Sequence, residues 1–405
     1  MNKTKQVPDA ASQKTESGTI KLVVIQPTPF CNLNCDYCYL PNRHLKHRLS
    51  LDLIEPIFKN LFQSQYLGKQ FTVVWHAGEP LTMPISFYKS AFDKIDLLDR
   101  EFNSNRCQIL HSLQTNGTLI NQAWCDLFKK YRMKVGVSLD GPAFLHDAHR
   151  QTRKGLGTHA STMRGISLLQ KNKIGFSVIA VLTNDSLDFP DEIFNFFIEH
   201  QIRNVGFNIE ETEGANQTSS LANDGMEKRY RTFMERLYQL AKSTRGYFKV
   251  REFEQTKSFI YRERNTLQGQ FTPFTMINIA YNGDFSTFSP ELLSMKSSDY
   301  GDFILGNVRQ NSFDSVCQTD KFNRINRDIQ AGVKLCQRTC QYYSLCGGGA
   351  PSNKYFENGS FATSETMYCR YTKKIITDIV LEDIERDLGL RPSEKMPNAL
   401  DYSSG

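Results

Sequence analysis

Between residues 20 and 242 the chain alternates six times between two hydrophobic patterns, and this alternation restricts the fold more than any other feature. Short β-branched and apolar runs at 21–26, 71–76, 108–113, 134–139, 175–182 and 204–209 have the length and composition of buried strands. Longer segments at 51–63, 86–98, 122–131, 159–171, 191–200 and 224–242 space their apolar residues as helices do. Asn121 and Thr158 stand where helix N-caps belong. A helix after each strand carries the chain back to the end of the sheet where it began, so the strands run parallel. No Gly-x-Gly-x-x-Gly follows the first run, which disfavours a nucleotide-binding Rossmann start. The expected fold is α/β, a partial (β/α)6 barrel of TIM type over residues 19–242. Such barrels keep their chemistry at the C-terminal ends of the strands, so the residues just beyond each run carry the functional signal.

The remaining segments read differently. Residues 243–270 are charged and form a linker carrying some helix. From 271 to 371 the chain is loop-rich, with turn signals at Asn282-Gly283, Tyr300-Gly301, Gly347–Gly349 and Asn358-Gly359. A region with so little core of its own is naturally stapled by a metal cluster. Residues 372–388 have the pattern of an amphipathic helix, within a terminal segment 372–405 that ends in a loose tail. Residues 1–18 are polar, lack the apolar core of a signal peptide and read as a disordered tail, and a fused leader-recognition domain before the first strand is not expected. With no run of about 18 apolar residues, no membrane span is expected, and the cytoplasm is the expected location.

The chain has ten cysteines, and without a signal peptide they point to metal or catalysis rather than to disulfides. Cys31, Cys35 and Cys38 form C-x3-C-x2-C just past the first strand. Three thiolates on one loop can hold three irons of a cubane and leave the fourth iron open to a ligand. A zinc knuckle needs a fourth ligand, and His44 and His47 are ill-spaced for it. Cys336, Cys340, Cys346 and Cys369 make a closed set of four, which suits a [4Fe–4S] cluster or a structural zinc; spacing alone leaves both open. Cys107, Cys125 and Cys317 read as buried thiols. The net charge of +6 is mild, and no platform of aromatic and basic residues points to a nucleic-acid partner.

The first cysteine loop, with Tyr37 before its third cysteine, resembles the radical S-adenosylmethionine (SAM) superfamily. Further matches follow at successive strand ends. Ala77-Gly78-Glu79-Pro80 looks like the family's Gly-Gly-Glu-Pro, with Ala at the first Gly. The resemblance gives the Gly78 backbone and Glu79 to the SAM amino group, and a carboxylate is the right partner for an ammonium. Thr115-Asn116-Gly117 follows the third strand; Ser138-Leu-Asp140 follows the fourth, with Arg150 beyond it. By resemblance Ser138 and Arg150 hold the SAM carboxylate, and Asn116 and Asp140 belong to the same cofactor shell. The second cysteine set looks like the auxiliary [4Fe–4S] cluster of a SPASM domain, with C-x3-C in place of the usual C-x2-C. The other auxiliary set that many SPASM proteins carry has no cysteine here at Phe288 or Ala350, so a single auxiliary cluster is expected.

Four longer strings narrow the resemblance to the cyclophane-forming maturases of glycine-rich-repeat peptides. They are Trp75–Leu81, Phe207–Gly214, Phe285–Leu292 and Cys346–Ala350. The implied reaction abstracts hydrogen from a side-chain β-carbon of a ribosomally made precursor peptide and joins that carbon to an aromatic ring. An electron donor such as flavodoxin or ferredoxin is implied, and the precursor must be gripped by the barrel, the C-terminal region or a separate partner. Closing the ring releases a proton, and Glu210, Glu211 and Glu213, just past the sixth strand, are the candidate bases. Two rivals are another radical SAM peptide reaction, formylglycine or thioether formation, and a metal-stapled binding protein without catalytic activity.

Overall fold

A computed structural model describes residues 18–261, 269–293 and 295–390. The tails expected at 1–18 and beyond Pro392 lie outside them, save Gly18. Six parallel strands form in the expected places: β1 (Leu22–Ile25), β2 (Gln70–Trp75), β3 (Gln108–Thr115), β4 (Lys134–Ser138), β5 (Phe176–Leu182) and β6 (Asn204–Ile209). They pair in sequence order, with Val23 beside Val73, Val73 beside His111, and Val178 beside Val205. Alternate residues face the helices outside. Trp75, fully buried, meets Tyr88 and Phe92 of the helix Ile85–Phe102 edge-on, at 5.3 and 6.1 Å between ring centres. The opposite face of the strands lines the barrel interior and carries Gln114 and Ser138, joined by a 3.0 Å hydrogen bond.

The sheet reaches past the six strands on both sides. β7 (Lys249–Val250) joins β6 in parallel, and the segment expected as a linker continues into the helix Arg251–Ile260. On the other side β8 (Met276–Ile279) runs parallel to β1, Leu22 beside Met276, and β9 (Asp284–Thr287) folds back against it. The C-terminal region therefore shares the barrel's sheet, where the sequence reading expected little core. Behind it lie the helices Asp320–Thr339 and Pro351–Asn358. The last helix starts at Met367, five residues before the expected boundary, widens over Arg370–Ile375 and continues as Ile376–Asp387. It docks on the helix Met226–Ser243, where Asp383 accepts hydrogen bonds from Tyr238 (2.8 Å) and Lys242 (2.9 Å).

Asn121 caps its helix as expected, accepting from the backbone of Trp124. Thr158 occupies the N-cap position without capping. Its hydroxyl donates to the Arg150 carbonyl, and Asp147 takes the backbone N–H groups of Thr158 and His159 instead. Among the described residues no helix is long and apolar enough to cross a membrane.

Candidate active site

The loop after β1 holds Cys31, Cys35 and Cys38 at the C-terminal mouth of the barrel, and its neighbours fix its shape. Arg43 donates to the Cys35 carbonyl at 2.9 Å and Arg153 to the Cys31 carbonyl at 3.0 Å. The Leu33 amide lies 3.4 Å from the Cys31 sulfur, and Asn116, at the end of β3, lies 3.9 Å from it. Burial pushes the Cys31 thiol up to about 12, with Glu79 adding to the rise, and burial pushes Cys35 up to about 11. These thiols hold their protons until a metal displaces them. Among the described residues no three His, Cys, Asp or Glu side chains come together as a single ion requires. A cubane meets its ligands at separate corners, so three spread thiols on one loop fit it better than they fit one zinc ion.

Beside this loop lies the turn after β2. Ala77 and Gly78 both take left-handed backbone conformations, φ +69° and +68°. A side chain at Gly78 would collide with the carbonyl oxygens of Thr28 and Phe30, so the close approach of this turn to the cluster loop requires glycine. Pro80 opens a single helical turn, for which Glu79 is the N-cap. Glu79 is 1% exposed and accepts from the Leu81 amide (2.9 Å), the Thr115 hydroxyl (2.7 Å) and the Asn116 amide (2.8 Å). Burial raises its carboxyl to about 7 against the pull of these bonds. The turn thus presents a buried carboxyl whose ionised form an ammonium would favour.

Tyr37, Asp140 and Arg150 form one buried network. Arg150 gives Nε (2.8 Å) and Nη2 (3.1 Å) to Asp140, which also accepts from the Tyr37 hydroxyl (2.5 Å) and the Val181 amide (2.9 Å). Burial would raise Asp140, but Arg150 holds it below the ordinary range. The arginine expected to grip the SAM carboxylate therefore spends two nitrogens on a buried pair that anchors the cluster loop through Tyr37. Ser138 points into the barrel, where its hydroxyl accepts from Gln114.

The second cysteine set lines one hollow together with Lys354 and Lys373. The buried Lys354 donates to the Cys336 sulfur at 3.3 Å. Four thiols around a common space, with ammonium groups on its wall, suit an anionic four-thiolate cluster. The place of the missing auxiliary set is filled. Phe288 is 2% exposed and stacks on Phe322, and Ala350 opens the helix Pro351–Asn358. Cys107 and Cys125 are buried as expected, while Cys317 is half-buried, 3.1 Å from the Tyr66 hydroxyl.

The three glutamates after β6 separate. Glu210 turns toward Ser220, whose amide (2.8 Å) and hydroxyl donate to its carboxylate, as a loop cap would require. Glu211 accepts from Asn353 at 2.6 Å, and burial raises it to about 8. Glu213 is raised further, by burial and then by Glu291 and Glu211, and its Oε1 has no hydrogen-bond partner among the described residues. Glu291, which the sequence reading did not single out, shares this environment; burial raises it to about 7.

The profile of the Radical SAM superfamily matches residues 25–197, a span that holds the first cysteine loop and the turns after β2, β3 and β4. Protein sll1766 of Synechocystis sp. is 54% identical over 377 residues, covering 93% of this chain and 95% of that protein. This chain belongs to the radical SAM superfamily. It is an enzyme, which removes the reading of a non-catalytic binding protein, and its cofactors are SAM and a [4Fe–4S] cluster. The serine-type anaerobic sulfatase-maturating enzyme of Bacteroides thetaiotaomicron is 26% identical over 356 residues, 82% of this chain and 83% of that one. A solved structure of anSMEcpe with bound AdoMet and the Cp18Cys peptide superposes with a TM-score of 0.72 at 21% identity, over 91% of this chain and 99% of that chain. The fold shared with that structure thus extends through the C-terminal region.

Proposed function

We propose that this radical SAM enzyme matures a ribosomally made precursor peptide by joining a side-chain β-carbon to an aromatic ring carbon, a cyclophane cross-link. The sulfatase-maturating relative and the peptide-bound anSMEcpe structure support a peptide substrate. The observation that carries the finer reading is Phe288. Its buried ring occupies the position of the absent auxiliary cysteine, which favours one auxiliary cluster over two. Bound at Cys31, Cys35 and Cys38, the cluster with SAM supplies a 5′-deoxyadenosyl radical.

The chain's own groups do the rest. The Gly78 backbone and Glu79 hold the SAM ammonium, and Asn116 ties the end of β3 to the cluster loop. Tyr37, Asp140 and Arg150 keep the loop in register, and Arg150 offers its remaining nitrogen to the SAM carboxylate. Cys336, Cys340, Cys346 and Cys369 would hold the auxiliary cluster, with Lys354 and Lys373 offsetting its charge. Buried carboxyls at the mouth of the barrel take the proton. A flavodoxin or ferredoxin is the electron donor in this reading.

Coexpression with the small open reading frame beside the gene, followed by mass spectrometry, tests the proposal. The expected product has lost two hydrogens, keeps its free thiols and fragments as a ring–carbon link. The reconstituted enzyme should hold about eight irons per chain. About twelve irons with a formylglycine product, or a thiol consumed in a thioether, sinks the cyclophane reading. The formylglycine alternative draws its support from the similarity to the sulfatase-maturating enzyme.

A further inference from the structure

β9 ends at Thr287, and the next residue, Phe288, takes φ +74°, a left-handed conformation that is costly for a bulky side chain. Its surroundings hold it there. The Phe288 ring stacks on Phe322, and the buried Ser289 hydroxyl donates to Gln270 (3.1 Å) while accepting from the Ser352 amide (3.3 Å). The bend leads into the single helical turn Pro290–Leu292 at the mouth of the barrel. Glu291 there lines a hollow with Gln26, Tyr39, Ala77 and Asn278, from the C-terminal ends of β1, β2 and β8 and from the cluster loop. Its Oε2 is buried with no hydrogen-bond partner among the described residues. Glu213, 6% exposed, aims a second unpartnered oxygen into the same environment. A strained turn that carries an unsatisfied carboxyl costs folding stability, and such features persist where a reaction uses them.

We propose that Glu291 is the catalytic base that takes the ring proton, an inference that rests on the cross-linking reading. With SAM and the cluster bound, the β-carbon would give up one hydrogen atom, which leaves in 5′-deoxyadenosine. The carbon radical adds to a ring carbon, forming the C–C bond. The ring then loses its hydrogen as a proton to Glu291 and one electron to an iron–sulfur acceptor. The peptide has lost two hydrogens, and the charges balance. Charged and titratable neighbours of Glu291 are Glu211 and Glu213 from the loop after β6 and Tyr39 from the cluster loop, while Glu357, from the helix Pro351–Asn358, and Arg251 act on Glu211 beside it. Burial keeps Glu291 able to hold a proton near neutral pH.

The test uses the reconstituted holoenzyme and its precursor peptide, counting modified peptide formed per 5′-deoxyadenosine. In E291Q this ratio should fall by about 10²-fold or more, and E291D should recover at least about a tenth of it. An E291Q ratio equal to wild type overturns the proposal. Should E291Q fail to keep its iron, the pH profile of E291D decides: an acidic limb moved to lower pH supports the base, and an unmoved limb overturns it. A wild-type product without a cross-link sinks the proposed function instead. The ring-proton role of Glu291 falls with it, whereas a cross-linked product with an unchanged E291Q ratio overturns that role alone.

Discussion

The ammonium of Lys354 lies 3.3 Å from the sulfur of Cys336, and the lysine is 4% exposed. A buried cation beside a thiolate favours added negative charge in the cluster that the thiolate ligates. In K354M the auxiliary cluster should become harder to reduce, its midpoint moving to more negative potential, while K354R stays near wild type. Potentiometric titration followed by electron paramagnetic resonance reads this, and an unmoved midpoint in K354M contradicts it.

Ala77 occupies a left-handed position, φ +69°, where the family motif has glycine. A β-carbon there costs about 1 kcal/mol, so A77G should leave the fold intact and raise stability by up to that amount, less what glycine adds to the freedom of the unfolded chain. G78A should do the opposite, because its β-carbon meets two carbonyl oxygens. Thermal unfolding of the two variants side by side tests the contrast, which fails if G78A is as stable as A77G.

Asp140 and Arg150, 2% and 7% exposed, balance each other inside the protein. In D140N the guanidinium stays buried without its counter-charge, at a cost of about 3–5 kcal/mol. The cluster loop should loosen with it, because an amide with one accepting oxygen replaces the carboxylate that takes the Tyr37 hydroxyl, Arg150 and the Val181 amide on two. Denaturant titration combined with iron analysis is the measurement; a loss below about 1 kcal/mol would show that the pair is solvated.

Burial raises Glu291 to about 7 and Glu211 to about 8, against an ordinary value of 4.5. A raised carboxyl binds its proton more tightly in the folded state. Its stabilising contribution is complete below about pH 4.5 and is lost as the pH climbs through 7 to 8. The thermal midpoint of the wild type should therefore fall between pH 5 and 8 and level above that range. E211Q and E291Q should each flatten the slope; a wild-type midpoint that rises across this interval refutes the assignment.

The placement of the first cysteine loop and of the strand-end motifs was legible because each is encoded locally. Three cysteines within eight residues share one loop whatever surrounds them, and the turns after β2, β3 and β4 follow strands whose apolar runs are plain. Glu291 was hidden because its place depends on β8 pairing with β1 and on the strained bend at Phe288, neither of which leaves a local mark. Glu210 and Glu213 looked equivalent because both follow the sixth strand. Only the return of the chain at Ser219 and Ser220 decides that one is capped while the other keeps an unpartnered oxygen. Arg150 was placed near the cofactor by resemblance, which is silent on how much of it Asp140 takes.

The pairing of β8 with β1 also constrains how the protein can be made. As the chain leaves the ribosome, β1 lacks one of its two neighbours until Met276 has been synthesised, about 250 residues later. Until then the strand that precedes the first cysteine loop has an open edge, a template for wrong pairing. A fragment truncated at the end of the six-unit barrel would keep that edge permanently. Aggregation of such a fragment would thus reflect a missing partner strand as well as a missing cluster.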